Sequence, residues 1–306
     1  MRKNNPNRIR QSTSDTVFDV INGMILFVVF LAFVYPVWFV LIASVSDPEA
    51  VTMGKVVLWP VGFDTAGYRR IINNADVWTG YGNTIFYTIF GTIIYIVVNM
   101  MAGYAMSRRD LPGRGFFMTM MIITMYFAGG QIPSYLNVKE FGLLDKRELM
   151  LIMGVVGVTN VIICRTFFTN SIPWELQEAG QLDGATDFQL FRRIVLPLAK
   201  PIMAVLAITR AVGHWNNYFT AMIYLKDRAK YPLQVFLREI LLKSQMSGMV
   251  GGADDPDSAI AMMIEQNIAN QMKYALIVVA TVPILAAYPW VEKYFAKGFM
   301  IGSVKG

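Results

Sequence analysis

The chain has 306 residues, of which 55% are apolar and only 16% charged, with a net charge of +6. A positive mean hydropathy of +0.44 marks an integral membrane protein. The single Cys164 excludes an intrachain disulfide and predicts a small buried hydrophobe. With one His beside it, zinc clusters, Ser-His-Asp chemistry and HExxH hydrolysis are poorly supported. No GxxxxGK[ST] loop occurs, so ATP hydrolysis cannot be assigned to this chain. The basic residues sit at the ends of apolar runs and form no patch with interleaved aromatics, which argues against nucleic acid.

Residues 1–16 are polar and carry Arg2, Lys3, Arg8 and Arg10 before an apolar run over 21–45. About 20 apolar residues at ~1.5 Å each cross roughly 30 Å of hydrocarbon, so this run is a first span and too long for a signal-peptide core. Residues 46–78 contain Asp47-Pro48, Trp59-Pro60 and Gly62 and predict an extracytoplasmic loop with one short helix near 65–73. A second span follows at 81–106, then a short basic turn at 107–114. A third span at 116–136 is interrupted by Gly129-Gly130 and Pro133, which membranes tolerate where protein or a cavity satisfies the freed backbone. Further spans are expected at 149–168, 198–224 and 272–290, the last after a long polar loop from 225 to 271. Six spans put both termini on one side. Fourteen of the 27 Lys and Arg then lie with the termini on the shorter segments, and twelve lie opposite. That density favours cytoplasmic termini.

The stretch 171–201 is the polar exception. Pro173 suits a first helical turn, and Glu175 and Glu178 sit where the helix dipole favours carboxylates. Asp183-Gly184 predicts a break. Phe188, Phe191, Val195 and Leu198 then form an apolar stripe on a second helix ending toward Leu196-Pro197.

Glu178-Ala179-Gly180, three residues, Gly184, nine residues, Ile194, one residue, Leu196-Pro197 resembles the EAA loop of the membrane subunits of bacterial ABC importers. That family has Glu-Ala-Ala, so Gly180 departs at one position, a difference of about 0.5–1 kcal/mol in helix stability. Asp183-Gly184-Ala185 and the Leu-Pro pair resemble the carbohydrate-importing branch. Asn83-Thr84, Gly142-Leu143-Leu144, Trp215-Asn216, Tyr231-Pro232-Leu233 and the closing Ile301-Gly302-Ser303-Val304-Lys305-Gly306 extend the likeness from about residue 80 to the end. Within the family the chain resembles the maltose-type subunits associated with oligosaccharide and polysaccharide uptake.

The resemblance implies an all-α integral membrane protein with six transmembrane helices, the type I ABC importer permease fold. Residues 1–79 would hold a cytoplasmic tail, the first span and a loop. Residues 80–291 would form the permease core, with five spans and the coupling loop at 171–197, and 292–306 a cytoplasmic tail. Glu175, Glu178, Ala179, Gly180, Asp183, Gly184 and Ala185 would couple the chain to an ATPase. Implied partners are a homologous second permease subunit, two ATPase subunits, an extracytoplasmic solute-binding protein and a sugar or oligosaccharide. ATP and Mg2+ would belong to the ATPase, with no cofactor, metal or catalytic residue on this chain. The implied location is the bacterial inner membrane, multi-pass. A secondary transporter or channel subunit without an ATPase is the alternative, for which more paired intramembrane charges than Arg210 alone would be expected.

For a substrate path the candidates are Arg210, Trp215, Asn216, Asn217, Tyr218, Tyr126 and Gln131. Amides hydrogen-bond sugar hydroxyls and aromatic faces pack on pyranose C–H surfaces. The same residues also serve helix packing and interfacial belts, and both readings stay open for the Asn pair. His214 reads more readily as structural. Arg210 needs a carbonyl or acidic partner or a wet cavity, since a charge in mid-span costs roughly 2.5–3.5 kcal/mol. It borders a path and favours anionic or highly hydroxylated glycans, or it pairs with a companion permease. Gly129, Gly130 and Gln131 mark either a gate bend or small-residue packing. Asp254-Asp255-Pro256-Asp257 lacks the pattern of a calcium loop.

Overall fold

The computed structural model describes residues 12–247 and 256–299; the Asp254–Asp255 pair, the basic N-terminal residues and the closing Ile301–Gly306 motif lie outside them. Among the described residues the regular structure is helical, with one isolated antiparallel bridge, Ser46 with Phe63. They fall into two compact units, 1–70 with 244–278, and 71–243 with 279 onward.

In the first unit, α1 (Thr13–Ser44) opens with a capping box in which Ser12 and Asp15 satisfy each other's backbone N–H groups. It is apolar on all sides and exposed over most of its length, as a helix facing lipid should be. A short helix that the sequence reading missed, α2 (Pro48–Thr52), starts with Asp47 as cap and proline in its first turn. The expected short helix is α3 (Ala66–Ile72). Gln271 is fully buried and closes the neck of this loop. Its Oε1 accepts from Gly67 N at 3.0 Å, and its Nε2 donates to Ser46 O at 2.8 Å and Asp64 O at 2.9 Å.

The second unit is built on α4 (Ala75–Ser107), followed by α5 (Arg114–Tyr126), α6 (Gln131–Glu140), α7 (Arg147–Ile152) and α8 (Val158–Ser171). Then come α9 (Trp174–Leu182), α10 (Asp187–Leu190), a π turn (Phe191–Val195), α11 (Leu196–Leu198), α12 (Lys200–Trp215), α13 (Phe219–Tyr224) and α14 (Leu233–Ser247). The last helix, α15 (Pro256–Phe299), crosses from the first unit into the second. The helix begins at Pro256 and its apolar part is Gln266–Ala286, beside the expected span of 272–290; α14 and the first turns of α15 occupy much of the expected polar loop. Polar residues that favour helices extend an apolar span as readily as they form a loop.

Among the described residues three helices are each long and apolar enough to cross a membrane: Thr13–Ser44, Ala75–Ser107 and Gln266–Ala286. Two bent pairs raise that to five. The expected third span is α5 and α6, bent by 115° at the Gly129-Gly130 break. The expected fifth is α12 with α13, interrupted at 216–218, and α12 itself meets the segment Asp187–Leu198 at 79°.

The fourth expected span, 149–168, is also broken, at 153–157 between α7 and α8. Side chains satisfy the freed backbone. Asn99 on α4 donates to Val155 O at 2.8 Å and accepts from Gly157 N at 3.0 Å, while Arg210 on α12 donates to Met153 O at 2.8 Å. Such support is what permits irregular backbone at membrane depth.

The core of this unit packs Tyr95, Met100 and Tyr104 of α4 with Cys164 and Phe168 of α8, Phe191 and Val195 of the π turn, and Ile202 and Leu206 of α12. Cys164 is fully buried, as expected. At the far end of α4, two dispersed sequence pairs meet. Asn83 Nδ2 donates to the carbonyls of Ala229 and Tyr231 at 2.8 and 3.0 Å, and Leu233 N donates to Thr84 Oγ1 at 2.8 Å.

Candidate functional site

The polar stretch folds as helix, elbow, helix. Pro173 precedes α9 as its cap residue, and α9 ends where Gly184 takes φ +78. Ala185 N donates to Gly180 O and Gly184 N to Gln181 O, both at 2.9 Å, the paired bonds of a Schellman turn. Thr186 then opens the next helix with a capping box to Gln189. No residue is spent on a disordered linker: one helix stops and the next starts within four positions.

The two faces of α9 differ. Gln177 and Gly180 are buried, while Glu175, Glu178, Ala179, Leu182 and Asp183 are exposed, Leu182 by 89%. Gly184 is exposed and Ala185 half-buried. Glu178 Oε1 accepts from Trp174 Nε1 at 2.6 Å, which fixes its position one turn along the outer face. A Cβ on Gly180 would run into Leu190 Cδ2, so glycine here allows α9 and α10 to close on each other. The departure from Glu-Ala-Ala therefore has a packing cause that propensity alone does not reveal.

Arg108, just past α4, pins the inner face. It is buried, donates to Gln177 Oε1 at 3.1 Å, grips Asp110 at 2.9 and 2.5 Å, and reaches Asp187 at 3.1 Å. Its guanidinium lies 5.2 Å from the Trp174 ring centre. Burial works against the Arg108 charge, but the bond to Asp110 and the nearby Tyr104, Asp110 and Asp187 outweigh it and raise its pKa. The Arg108 bond holds the Asp110 carboxyl below the usual range. Beside this knot lies a cavity of about 450 Å³ lined by Tyr104, Arg108, Leu111, Phe188 and Phe191 among others. In the sequence Arg108 is one charge of a basic turn. Only its place next to the end of a span, with Asp110 two residues on, hinted at more.

The expected stripe on the second arm is corrected. Phe191 and Val195 are buried, but Phe188 is 64% and Leu198 49% exposed. The buried row runs Phe191, Val195, Ala199, Ile202, Leu206. Leu196 N bonds Phe191 O, five residues back, so the register slips by one. Pro197 lacks the N–H that would engage the Arg193 carbonyl, which removes one bond holding ordinary α register there.

At the other end of the core, Arg210 is half-buried. Its Nε donates to His214 Nε2 at 3.0 Å and its Nη2 to Met153 O at 2.8 Å, and its guanidinium stands 4.8 Å over the Tyr95 ring. It has the carbonyl partner expected of it. His214, buried, accepts on Nε2 and so carries its proton on Nδ1. Trp215 is buried edge-on to Tyr81, and its N–H bonds Ala280 O at 3.0 Å. Asn216 donates back to Val212 O at 3.0 Å, Asn217 Oδ1 accepts from Thr220 N at 3.2 Å, and Tyr218 lies under Arg238 at 4.5 Å. The Asn pair thus ends α12 and starts α13. Tyr126 and Gln131 are exposed and flank the α5–α6 bend, with no side-chain bond to the Arg210 group among the described residues.

A helical membrane chain with broken spans and a short outward helix held by its own elbow has the build of a transporter's permease subunit. Residues 115–300 match the family described as binding-protein-dependent transport system inner membrane component, and the chain belongs to that family. Its members are ABC transporter permease subunits, not enzymes, and they reside in the membrane as multi-pass proteins.

The polygalacturonan/rhamnogalacturonan transport system permease protein YtcP of Bacillus subtilis (strain 168) is 38% identical over 95% of this chain and 99% of its own length. Protein LplC of the same organism is 36% identical over 95% of each. Among solved structures, a bacterial ABC transporter involved in the import of the acidic polysaccharide alginate matches with a TM-score of 0.82 and 35% identity. That match covers 94% of this chain and all of the other.

Proposed function

We propose that this chain forms half of the translocation path of an ATP-driven importer of oligosaccharides, acidic ones foremost. It pairs with a homologous permease and receives force from two ATPase subunits through Glu175, Glu178, Ala179, Gly180, Asp183, Gly184 and Ala185. An extracytoplasmic binding protein delivers the sugar, ATP and Mg2+ stay on the ATPases, and both termini face the cytoplasm. The observation that carries this reading is the two-faced α9: its outer side is exposed while Arg108 and Gln177 lock its inner side to α4. A helix held that way transmits a push to the core without swinging loose. The acidic cargo is supported by relatives whose names specify polygalacturonan and alginate. The same transporter would alternate between two rigid states biased by nucleotide.

Reversing the charge at Glu178 tests the coupling role. Glu178→Lys is expected to leave the protein in the membrane but to reduce ATPase co-purification, or to leave ATP hydrolysis running without uptake. Undiminished uptake by that variant would sink the assignment.

A further inference from the structure

The segment between α2 and the Ser46–Phe63 bridge does not project away from α1 but folds back along it. Trp38 Nε1 donates to Leu58 O at 2.9 Å and Tyr35 OH to Val57 O at 3.3 Å. The Trp59 ring meets Trp38 edge-on with centres 6.1 Å apart. Since α1 ends at Ser44, Trp38 lies about 9 Å and Tyr35 about 13 Å back from that end at ~1.5 Å per residue. Residues 23–43 carry no charge or amide side chain. They cover roughly 30 Å, the whole hydrocarbon thickness, so both aromatic residues lie at or inside its edge. Residues 56–58 therefore reach that depth too.

Three features suit this stretch to lipid. It has no charge from Val56 to Phe63, with Lys55 and Asp64 at its two ends. Its carbonyls at Val57 and Leu58 accept from α1 side chains, which lowers the cost of placing irregular backbone at the edge of the hydrocarbon. Val56 turns inward against Ile42 and Ala50, while Val57, Leu58, Trp59 and Phe63 are exposed, Trp59 by 72% and Phe63 by 80%. These exposed side chains continue the apolar face that α1 presents along its length.

We propose that residues 56–63 are an interfacial anchor that dips into the bilayer beside α1, with the glycerol and upper acyl region of the lipid as its partner. Tryptophan is the side chain best suited to that layer. The proposal rests on α1 being a span and is independent of cargo and of ATPase coupling.

Spin labels in the assembled transporter, reconstituted in lipid nanodiscs in a Cys164→Ala background, test it. Leu58→Cys carries the reporting label and Glu49→Cys, at an exposed position of α2, the aqueous control. The label at 58 is expected to be reached by oxygen and shielded from a water-soluble nickel chelate, with the reverse at 49. Adding Trp38→Phe, which keeps an aromatic ring but deletes the donor, is expected to shift the label at 58 toward nickel accessibility. Nickel access at 58 equal to that at 49 overturns the proposal by placing the loop in water. Low access to both reagents overturns it by placing a protein partner there. As a readout without cysteine changes, brominated lipid is expected to quench wild-type tryptophan emission more than that of Trp59→Phe; equal quenching counts against the anchor.

Discussion

Asp145 adopts φ 58, a left-handed conformation that Asp tolerates better than most residues, and its side chain holds the segment after α13. Oδ1 accepts from the backbone N–H groups of Lys226 and Asp227, both at 3.0 Å, and Lys230 Nζ donates to its carbonyl at 2.7 Å and to Oδ2 at 3.0 Å. The two backbone bonds foremost, then Lys230, pull the Asp145 carboxyl down to about 2. A carboxyl pKa lowered by folding adds stability above its ordinary value near 4, and that contribution fades as pH falls toward 2. Asp145→Ala is expected to cost about 2–3 kcal/mol at neutral pH, from the lost charge-assisted hydrogen bonds together with alanine's poorer fit to the left-handed conformation. Thermal unfolding in detergent checks this: the gap between wild type and variant should hold from pH 7 to 5 and shrink below 4. A gap unchanged at pH 2.5 would rule out the charged clasp. Neither Asp145 nor Arg108 stood out in the sequence, because a charge in a turn looks solvated until its partners from distant elements are known. Glu175 and Gly184 were legible, since an acid in the first helical turn and a positive-φ turn are local demands.

At the scale of elements, α4 is the spine, and glycine sets how near its neighbours come. A Cβ on Gly103 would collide with Cys164 Cβ and lie 3.3 Å from both Arg165 N and Val161 O, so α8 packs backbone against backbone there. Gly82, on the same helix, has nothing within 4 Å. Gly103→Ala is therefore expected to destabilise by about 1–3 kcal/mol, the cost of overpacking. Gly82→Ala should be neutral or gain about 0.5–1 kcal/mol from helix propensity. Melting of the purified variants measures both, and equal effects would show that α4 and α8 are not in close contact. Helix existence was readable from apolar runs, but continuity was not. Asn99 and Arg210 let α7 and α8 part inside one run, and a single slipped turn before Pro197 moved the buried row from Phe188 and Leu198 onto Ala199 and Ile202. Periodicity assumes one register throughout, and that assumption fails wherever a side chain from another helix stands in for a backbone partner.

For the whole molecule, the proposed import of acidic sugars makes a specific demand on Arg210, the α12 cation that braces the α7–α8 break. Arg210 spends Nε and Nη2 on His214 and Met153, and Nη1 has no hydrogen-bond partner among the described residues. Arg210→Gln is expected to lower uptake of acidic oligosaccharides about tenfold more than uptake of neutral ones, the scale of a charged hydrogen bond at ~1.5 kcal/mol. Competitive uptake of matched acidic and neutral sugars decides it. Equal losses would make Arg210 a strut for the α7–α8 break and nothing more.

The buried Gln271 carries a consequence for biosynthesis. It ties residues near the start of the chain to one that follows Gly67 by 204 positions. At about 5–20 residues per second the ribosome needs roughly 10–40 s to make that stretch. Through that interval the nascent neck around Ser46 and Asp64 lacks its clasp and is held by its own short-range bonds, among them Asp64 N to Val45 O, and by the α1 aromatics. The first unit is thus begun first and finished among the last, so a truncation anywhere before Gln271 removes the keystone of the opening segment as well as the missing tail.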